Sequence, residues 1–430
     1  MTTAVQAAAV LNVARLHADD QHMSAAAAVG QLRASLADTR PPQWLYRLAR
    51  WRWWIIAVAS LGSVPAGYAG WGGDFWVVYQ AARALVGLPS PGVGTHGPLG
   101  IFVASPSTQM GPASFVAVGP VAALSEPMAR LLMTLAMALV LPLVVWLLER
   151  AARMSWPQWR SAADLPIVVL LAGLFCIPQW HQVAVSYAHV DDVLVFAAAA
   201  WALKALAGRQ PVQLGLALAL AVDAKPWSIA LAPLVLALPS ARDRLKAAAA
   251  GSAGIVVAWA PFLIAPGALT ALATFRIRVD INSPLTLAGI HVLSPMPLWV
   301  RPAQLGLGLL LAYIAVRRHR PSAVLMVVVA ARIALDPAAF PYYFVGLVVG
   351  CAAWELVGTA RRFPWLTALV GFVIYDVRWL LNSPAAVARL DALSLVLAIA
   401  VVAWPARAPR SPEPLEMVGA DPATRLADSA

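Results

Sequence analysis

Long apolar runs recur along the whole chain, and short basic segments separate them. A helix satisfies its own backbone hydrogen bonds, so such runs can enter or cross a bilayer as helices. The pattern predicts an all-α, polytopic integral membrane protein with about 12 transmembrane or partly spanning helices. They are predicted at residues 53–69, 128–148, 165–180, 193–206, 212–224, 228–238, 247–265, 303–316, 323–335, 342–356, 365–375 and 393–404.

Basic residues set the predicted orientation. Arg47, Arg50 and Arg52 precede the first run, and every later turn predicted on the same side also carries arginine or lysine. Basic residues concentrate in cytoplasmic loops. The pattern therefore predicts a multi-pass plasma membrane protein with both termini in the cytoplasm.

The same alternation divides the chain. Residues 1–45 are predicted to be a cytoplasmic N-terminal tail with an amphipathic helix at 24–37, residues 46–406 the membrane domain, and residues 407–430 a disordered cytoplasmic tail. Within the membrane domain, residues 70–124 form a first outer loop containing an interfacial helix, and residues 266–302 form a second outer loop. We expect the two outer loops to close over one cavity.

Composition supports this interpretation. Hydrophobic residues make up 61% of the chain, charged residues make up 12%, and the mean hydropathy is +0.74. These values exclude a soluble enzyme, a disordered hub and a secreted disulfide scaffold. The net charge of +11 would suggest a nucleic-acid partner in a soluble protein, but here the arginines lie at the ends of apolar runs. Cys176 and Cys351 lie inside such runs and provide no disulfide framework.

The predicted helices at 212–224 and 228–238 are unusually short. Thirteen helical residues rise only about 20 Å, against a hydrocarbon core of about 30 Å. We therefore expect neither helix to cross the bilayer fully. Their junction, with Asp223, Lys225, Pro226 and Trp227, should lie in a cavity lined by protein, where polar backbone is tolerated at membrane depth.

Ionisable residues on the predicted outer side are not explained by topology. One outward-facing polar site would account for many of them. The set comprises Asp74, His181, His189, Asp191, Asp192, Asp223, Lys225, Arg276, Arg278, Asp280, Arg332, Asp336, Asp376 and Arg378.

Several interpretations of these residues stay open. Asp74 follows Gly73 at the start of the interfacial helix. Its carboxylate could cap that helix, or it could be a functional group. Three interpretations are open for His189, Asp191 and Asp192. They could cap a helix, form hydrogen bonds to a sugar or acceptor, or bind a divalent cation.

Lys225 suits pairing with Asp223 or binding of a phosphate-bearing ligand. Arg276 and Arg278 could bind the same phosphate, or they could be two exposed arginines of a loop. Arg332 and Asp336 are spaced as an i,i+4 pair. Tyr342 and Tyr343 are most simply interpreted as aromatic residues at the membrane–water interface.

Three segments resemble the GT-C glycosyltransferases, especially the family 87 polyprenyl-phosphate-dependent mannosyl- and arabinofuranosyltransferases. The first runs from Gly73-Asp74-Phe75 to Tyr79. The second runs from Gly111-Pro112 through Pro120 to Met128-Ala129-Arg130-Leu131. The third runs from Leu214 to Leu238, with Ala224-Lys225-Pro226-Trp227 at its centre. In order and spacing they cover most of residues 45–380.

The resemblance implies a membrane glycosyltransferase that moves a sugar from a polyprenyl-phosphate donor to a glycolipid or polysaccharide acceptor on the outer face. It implies that Asp74 is the general base and that Lys225 contacts the leaving phosphate, with Tyr79 in the same motif as Asp74. We predict further substrate-binding residues, namely Tyr79, His189, Asp191, Asp192, Arg276 and Arg278. No cofactor or metal is predicted.

Two other functions compete with this one. A secondary transporter of a small polar or anionic solute would suit about 12 spans, but the chain shows no repeat of two related halves. A non-catalytic membrane scaffold is the third interpretation. The chain has no GxxxxGK[ST] loop, no HExxH and no GxGxxG that follows a predicted strand, so a nucleotide-driven pump is not expected.

Overall fold

The computed structural model describes residues 41–68, 73–91, 93, 97–156, 164–338, 340–359 and 363–403. The amphipathic helix predicted at 24–37 and the C-terminal tail predicted at 407–430 lie outside the described residues. Within these ranges the regular elements are helices, with one isolated antiparallel bridge between Arg278 and Pro295. The all-α prediction is confirmed for this part of the chain.

The helices follow the predicted apolar runs closely. We number them α1 Gln43–Arg50, α2 Arg52–Gly62, α3 Val64–Gly67, α4 Gly73–Leu85, α5 Ile101–Ala104, α6 Pro112–Val118, α7 Glu126–Ser155, α8 Leu165–His181, α9 Val190–Ala207, α10 Pro211–Ala224, α11 Ala241–Leu263, α12 Ala268–Thr274, α13 Val300–Arg317, α14 Val324–Ala334, α15 Phe344–Gly358, α16 Trp365–Ala368, α17 Tyr375–Leu380 and α18 Pro384–Ala403. A 3₁₀ helix, Pro226–Ala237, follows α10, and π turns at Gln182–Ser186 and Leu369–Ile374 follow α8 and α16.

Among the residues that the structure describes, five helical segments are long and apolar enough to cross a membrane, which supports a helical membrane protein. They are Glu126–Ser155, Leu165–Ser186, Ala241–Leu263, Pro341–Gly358 and Pro384–Ala403. Shorter apolar helices occupy Pro112–Val121, Pro211–Ala224, Pro226–Ala237 and Pro321–Ala334. The span number of about 12 and the orientation of the termini stay predictions.

The two short helices within residues 211–237 are separated by one residue with an extended backbone. Lys225 has φ −152° and ψ 116°, as expected of a residue before proline, and it separates α10 from the 3₁₀ helix. Both Asp223 and Lys225 are buried. The backbone break therefore lies inside protein, as the short apolar runs predicted.

Small residues let neighbouring helices approach closely. A Cβ on Gly215 of α10 would lie 2.2 Å from the carbonyl oxygen of Ala247 in α11, and a Cβ on Gly350 of α15 would lie 2.6 Å from the Cα of Met326 in α14. Helices in lipid associate through such backbone contacts, because lipid supplies little hydrophobic drive to pair them.

The two predicted outer loops contact each other and the helix break. The Arg301 side chain, at the end of the second loop, donates to Gln109 Oε1 of the first loop at 2.9 Å. The Phe102 ring of the first loop stacks on Trp259 of α11, with centroids 5.4 Å apart. The Gly111 amide donates to the Ala224 carbonyl at 2.7 Å. The first loop is therefore anchored beside Lys225, far from it in sequence.

We expect Gly215→Ala to destabilise the protein. The added methyl group cannot displace the Ala247 carbonyl without moving α11, and overpacking of this kind costs about 1–3 kcal/mol. Thermal unfolding in detergent measures the loss. Gly306→Ala in α13 is the matched control, since nothing lies within 4 Å of its Cβ position and alanine favours a helix. Equal melting temperatures for the two variants would contradict close packing of α10 on α11.

Candidate functional site

Asp74 and His189 bring the first outer loop to the start of α9. Asp74 lies in the first turn of α4, and its Oδ2 lies 2.8 Å from His189 Nε2. The Asp74 side chain is 52% exposed, whereas that of His189 is 3% exposed. Asp74 thus has a partner outside its own helix, which the capping interpretation did not foresee.

The backbone before His189 is shaped to present the imidazole. The π turn ends at Ser186, and Ala188 then takes φ 53°, in the left-handed region that disfavours a Cβ. The His189 amide donates to the Val183 carbonyl at 2.8 Å, which ties the bend to the π turn. Strained backbone of this kind is commonest at functional sites.

His189 bridges two carboxylates. Its Nδ1 lies 3.2 Å from Asp191 Oδ1, while its Nε2 faces Asp74. Both nitrogens can donate only in the imidazolium form. Burial alone would lower the pKa of His189, but its contacts with Asp191 and Asp74 outweigh burial and raise the pKa to about 9. The contact with His189 in turn lowers the pKa of Asp74.

Lys225 joins the two aspartates at the start of α9. Its Nζ lies 2.6 Å from Asp191 Oδ2 and 2.5 Å from Asp192 Oδ2, and all three side chains are buried. The Asp192 carboxylate also contacts the Arg332 guanidinium at 3.2 Å. One lysine from the helix break therefore pairs with two acids.

The network continues from Arg332 to Asp336. Arg332 Nε lies 3.7 Å from Asp336 Oδ2, which confirms the predicted i,i+4 pair. Asp336 Oδ2 also accepts a hydrogen bond from Gln304 Nε2 at 3.2 Å and lies 3.8 Å from Arg301 Nη1. We call the charged network the set Asp74, His189, Asp191, Asp192, Lys225, Arg332 and Asp336. Its four carboxylates are balanced by Lys225, Arg332, protonated His189 and the adjoining Arg301.

Aromatic rings cover the buried part of the charged network. The Tyr342 ring centroid lies 4.1 Å from that of His189, and the Arg332 guanidinium lies 4.0 Å from the Tyr343 centroid and 4.9 Å from that of Trp227. Both tyrosines are buried. Their interpretation as interfacial aromatics is wrong, because they shield cations from water instead of anchoring the chain at the membrane surface.

A lysine side chain competes with a divalent cation for the acidic residues at the start of α9. Ligand atoms of His189, Asp191 and Asp192 lie within 4.8 Å of one another, as a metal site requires. The Lys225 ammonium, however, lies between the two carboxylates. A metal ion would have to displace or face that positive charge. The geometry therefore favours charge pairing over metal binding and over helix capping by these acids.

Other candidate residues lie outside the charged network. The pairing of Lys225 with Asp223 is wrong, since Lys225 contacts Asp191 and Asp192. Arg276 and Arg278 are exposed in the second outer loop. The Tyr79 hydroxyl donates to the Leu124 carbonyl at 2.6 Å, so this buried side chain holds the first loop together.

Sequence reasoning missed the polar residues that complete the site. Gln304 and Arg301 on α13 support Asp336, yet single polar residues in an apolar run give little signal. A second buried pair, Arg378 Nε and Asp391 Oδ1 at 3.2 Å, links α17 to α18. The signal for it was Asp391, a carboxylate two residues before the predicted run at 393–404, because a charged group beside an apolar run needs a partner.

We expect Lys225→Met to destabilise the protein strongly. The change leaves two buried carboxylates without their shared cation, and breaking a buried pair costs about 3–5 kcal/mol. Thermal unfolding and gel filtration in detergent measure the effect. Lys246→Met is the control, since Lys246 is exposed on α11. A Lys225→Met protein as stable as the control would show that the acids find another partner.

We expect a pH dependence from His189. Its pKa is raised from the ordinary value near 6.5 to about 9, so its stabilisation is full below about pH 6.5 and is lost as pH rises through about 9. The melting temperature in detergent should fall over this interval. His189→Gln should flatten that part of the curve. An unchanged slope in the variant would assign the pH dependence to another group.

Comparison with known proteins adds no assignment. No family model matches the chain, and no curated protein or solved structure matches it either. The resemblance to GT-C glycosyltransferases therefore depends on the three segments quoted above.

Proposed function

We propose that the protein is a membrane glycosyltransferase. It moves a sugar from a polyprenyl-phosphate donor to a glycolipid or polysaccharide acceptor, with Asp74 as the general base. One observation carries the proposal: Asp74 is a half-exposed carboxylate at the edge of a buried charged network. A reactant can therefore reach Asp74, while its partners are fixed in protein.

The proposed reaction uses the accessible oxygen of Asp74. An acceptor hydroxyl donates a hydrogen bond to the carboxylate and attacks the anomeric carbon of the donor. The bond between that carbon and the phosphate oxygen breaks, and its electron pair leaves with the lipid phosphate. The hydroxyl proton passes to Asp74. A carboxylate of lowered pKa is a weak base, so it accepts the proton late, after the attacking oxygen has become acidic.

His189 and Lys225 act through Asp74 in this proposal. The imidazolium holds the Asp74 carboxylate in place and keeps it ionised. Asp191 fixes the imidazole from the other side, and Lys225 fixes Asp191. Because Lys225 is buried and already paired with two carboxylates, it positions the base and does not contact the phosphate itself.

The leaving phosphate needs cations that are exposed. Arg301 suits this role, since its side chain is 36% exposed and it joins the charged network at Asp336. Arg276 and Arg278 are exposed in the second outer loop and supply further positive charge. Fixed cations beside a developing phosphate charge lower the barrier to its departure.

The membrane placement completes the proposal. We propose about 12 spanning or partly spanning helices, with the charged network facing outward and both termini in the cytoplasm of a plasma membrane. Five segments of spanning length and several shorter apolar helices support it. The donor then arrives from the bilayer and the acceptor from the outer aqueous side.

A secondary transporter is the second candidate, and the charged network itself favours it. Buried acids, a histidine and a lysine at membrane depth also form proton relays in transporters. In that function Asp74 would exchange protons with the outer solution through His189. The substrate would be a small polar or anionic solute rather than a lipid-linked sugar.

The test of Asp74 compares two asparagine variants. Membranes containing wild type, Asp74→Asn or Asp280→Asn are incubated with a panel of labelled polyprenyl-phosphate sugars. We expect Asp74→Asn to lower transfer by about 10²–10⁴-fold, because the amide cannot take the proton. Asp280→Asn should transfer at the wild-type rate, since Asp280 is an exposed loop carboxylate that accepts only from the nearby Asn282 amide among the described residues.

Two outcomes would overturn the enzyme assignment. A folded Asp74→Asn protein with wild-type transfer would remove the base from the mechanism. Wild-type protein that transfers no sugar from the panel, yet moves a solute in proteoliposomes under a proton gradient, would establish the transporter instead. Melting temperatures of the variants separate loss of folding from loss of function.

A further inference from the structure

A concave surface lies at the C-terminal end of α9, the helix whose first turn carries Asp191 and Asp192. It is an open depression of about 530 Å³ between the C-terminal ends of α7 and α9. Its lining consists of Trp146, Arg150, Arg153 and Met154 from α7 and Lys204 from α9. We call this surface the basic groove. Asp191 and Asp192 lie in the first turn of α9, whereas Lys204 lies in the last turn, so the groove is separate from the proposed reaction site.

The basic groove carries unbalanced positive charge. Glu149 is its adjacent carboxylate, and it already pairs with Arg52 at 2.9 Å and with Arg153. The Lys204 ammonium lies near the neutral amide oxygens of Gln210 and Gln213, at 3.1 and 3.4 Å. Among the described residues, neither Arg150 nor Lys204 has a carboxylate within ion-pair distance. Two cations therefore face the groove without a counter-charge from the protein.

An exposed apolar surface on α7 lies next to the basic groove. Leu139, Leu143 and Trp146 are 45%, 46% and 38% exposed, and with Arg150 they follow at intervals of four, three and four residues along α7. This spacing places all four on one helix face. The Arg150 guanidinium lies 5.4 Å from the Trp146 ring centroid. The face thus changes from aliphatic to aromatic to cationic, in the order in which a bilayer changes from core to headgroup.

We propose that the basic groove binds the headgroup of an anionic phospholipid. The phosphate group contacts Arg150, Arg153 and Lys204, and an acyl chain lies along Leu143 and Leu139. A free phosphate would satisfy the cations alone, but it would leave the exposed apolar face of α7 unused. Basic pockets between membrane helices are suited to acidic headgroups for this reason. The proposal does not depend on the glycosyltransferase assignment.

The experiment compares two double variants that remove the same charges. Arg150→Gln with Lys204→Gln removes two cations from the basic groove. Arg242→Gln with Lys246→Gln removes an exposed arginine and an exposed lysine from α11. Each purified protein is titrated in neutral detergent with phosphatidylglycerol, with zwitterionic phosphatidylcholine and with inorganic phosphate. Native mass spectrometry counts the bound lipid, and the melting temperature reports the effect on the fold.

We expect wild type and the α11 variant to retain phosphatidylglycerol in preference to phosphatidylcholine. The groove variant should bind phosphatidylglycerol on the order of tenfold more weakly, since two basic contacts to the headgroup are gone. Inorganic phosphate should neither bind stably nor raise the melting temperature at matched concentrations.

Three results would overturn the proposal. Equal loss in both double variants would show a response to overall charge, and equal binding of both lipids would show no headgroup selection. Stabilisation by inorganic phosphate equal to that by phosphatidylglycerol would make the groove a phosphate site. If the double variant fails to fold, Arg150→Gln alone decides the outcome. Arg150 is exposed and its described contact is with the Trp146 ring, so its loss leaves the packed interior unchanged.

Discussion

The arrangement of the membrane domain depends on one buried ammonium group. Lys225 lies between the carboxylates of Asp191 and Asp192, at 2.6 and 2.5 Å, where little water reaches. Removing charges from water is costly, and only close opposite charges repay that cost. The lysine and the two acids are therefore tolerated only together. This requirement fixes the start of α9 against the break between α10 and the 3₁₀ helix.

The helix break follows from the same requirement. A continuous helix through 211–237 would have to place Lys225 on a regular helical face. The extended backbone before Pro226 instead puts its side chain between the acids of α9. The first outer loop then seals the exposed backbone, as the Gly111 amide donates to the Ala224 carbonyl at 2.7 Å. The short helices that topology left unexplained are thus part of one charged centre.

The proposed function uses the edge of this centre, where a carboxylate of the charged network is exposed to water. His189 links buried Asp191 to half-exposed Asp74, so the accessible carboxylate is held by groups that solvent does not reach. A base, or a proton-carrying group, gains a fixed position without being buried itself. At the C-terminal ends of α7 and α9 the basic groove shows a different arrangement, since Arg150 and Lys204 have no carboxylate within ion-pair distance among the described residues.

The amino-acid sequence predicts the helices, because the length and polarity of each apolar run decide whether it can lie in a bilayer. It also marked Asp74, His189, Asp191, Asp192 and Lys225 as charges that topology did not require. Which of these charges meet was decided by tertiary structure alone. Lys225 is two residues from Asp223 but pairs with Asp191 and Asp192, and Tyr342 and Tyr343 are buried over cations. Sequence separation carries no information about such contacts, since electrostatic pairing depends on the distance between atoms after the helices have packed.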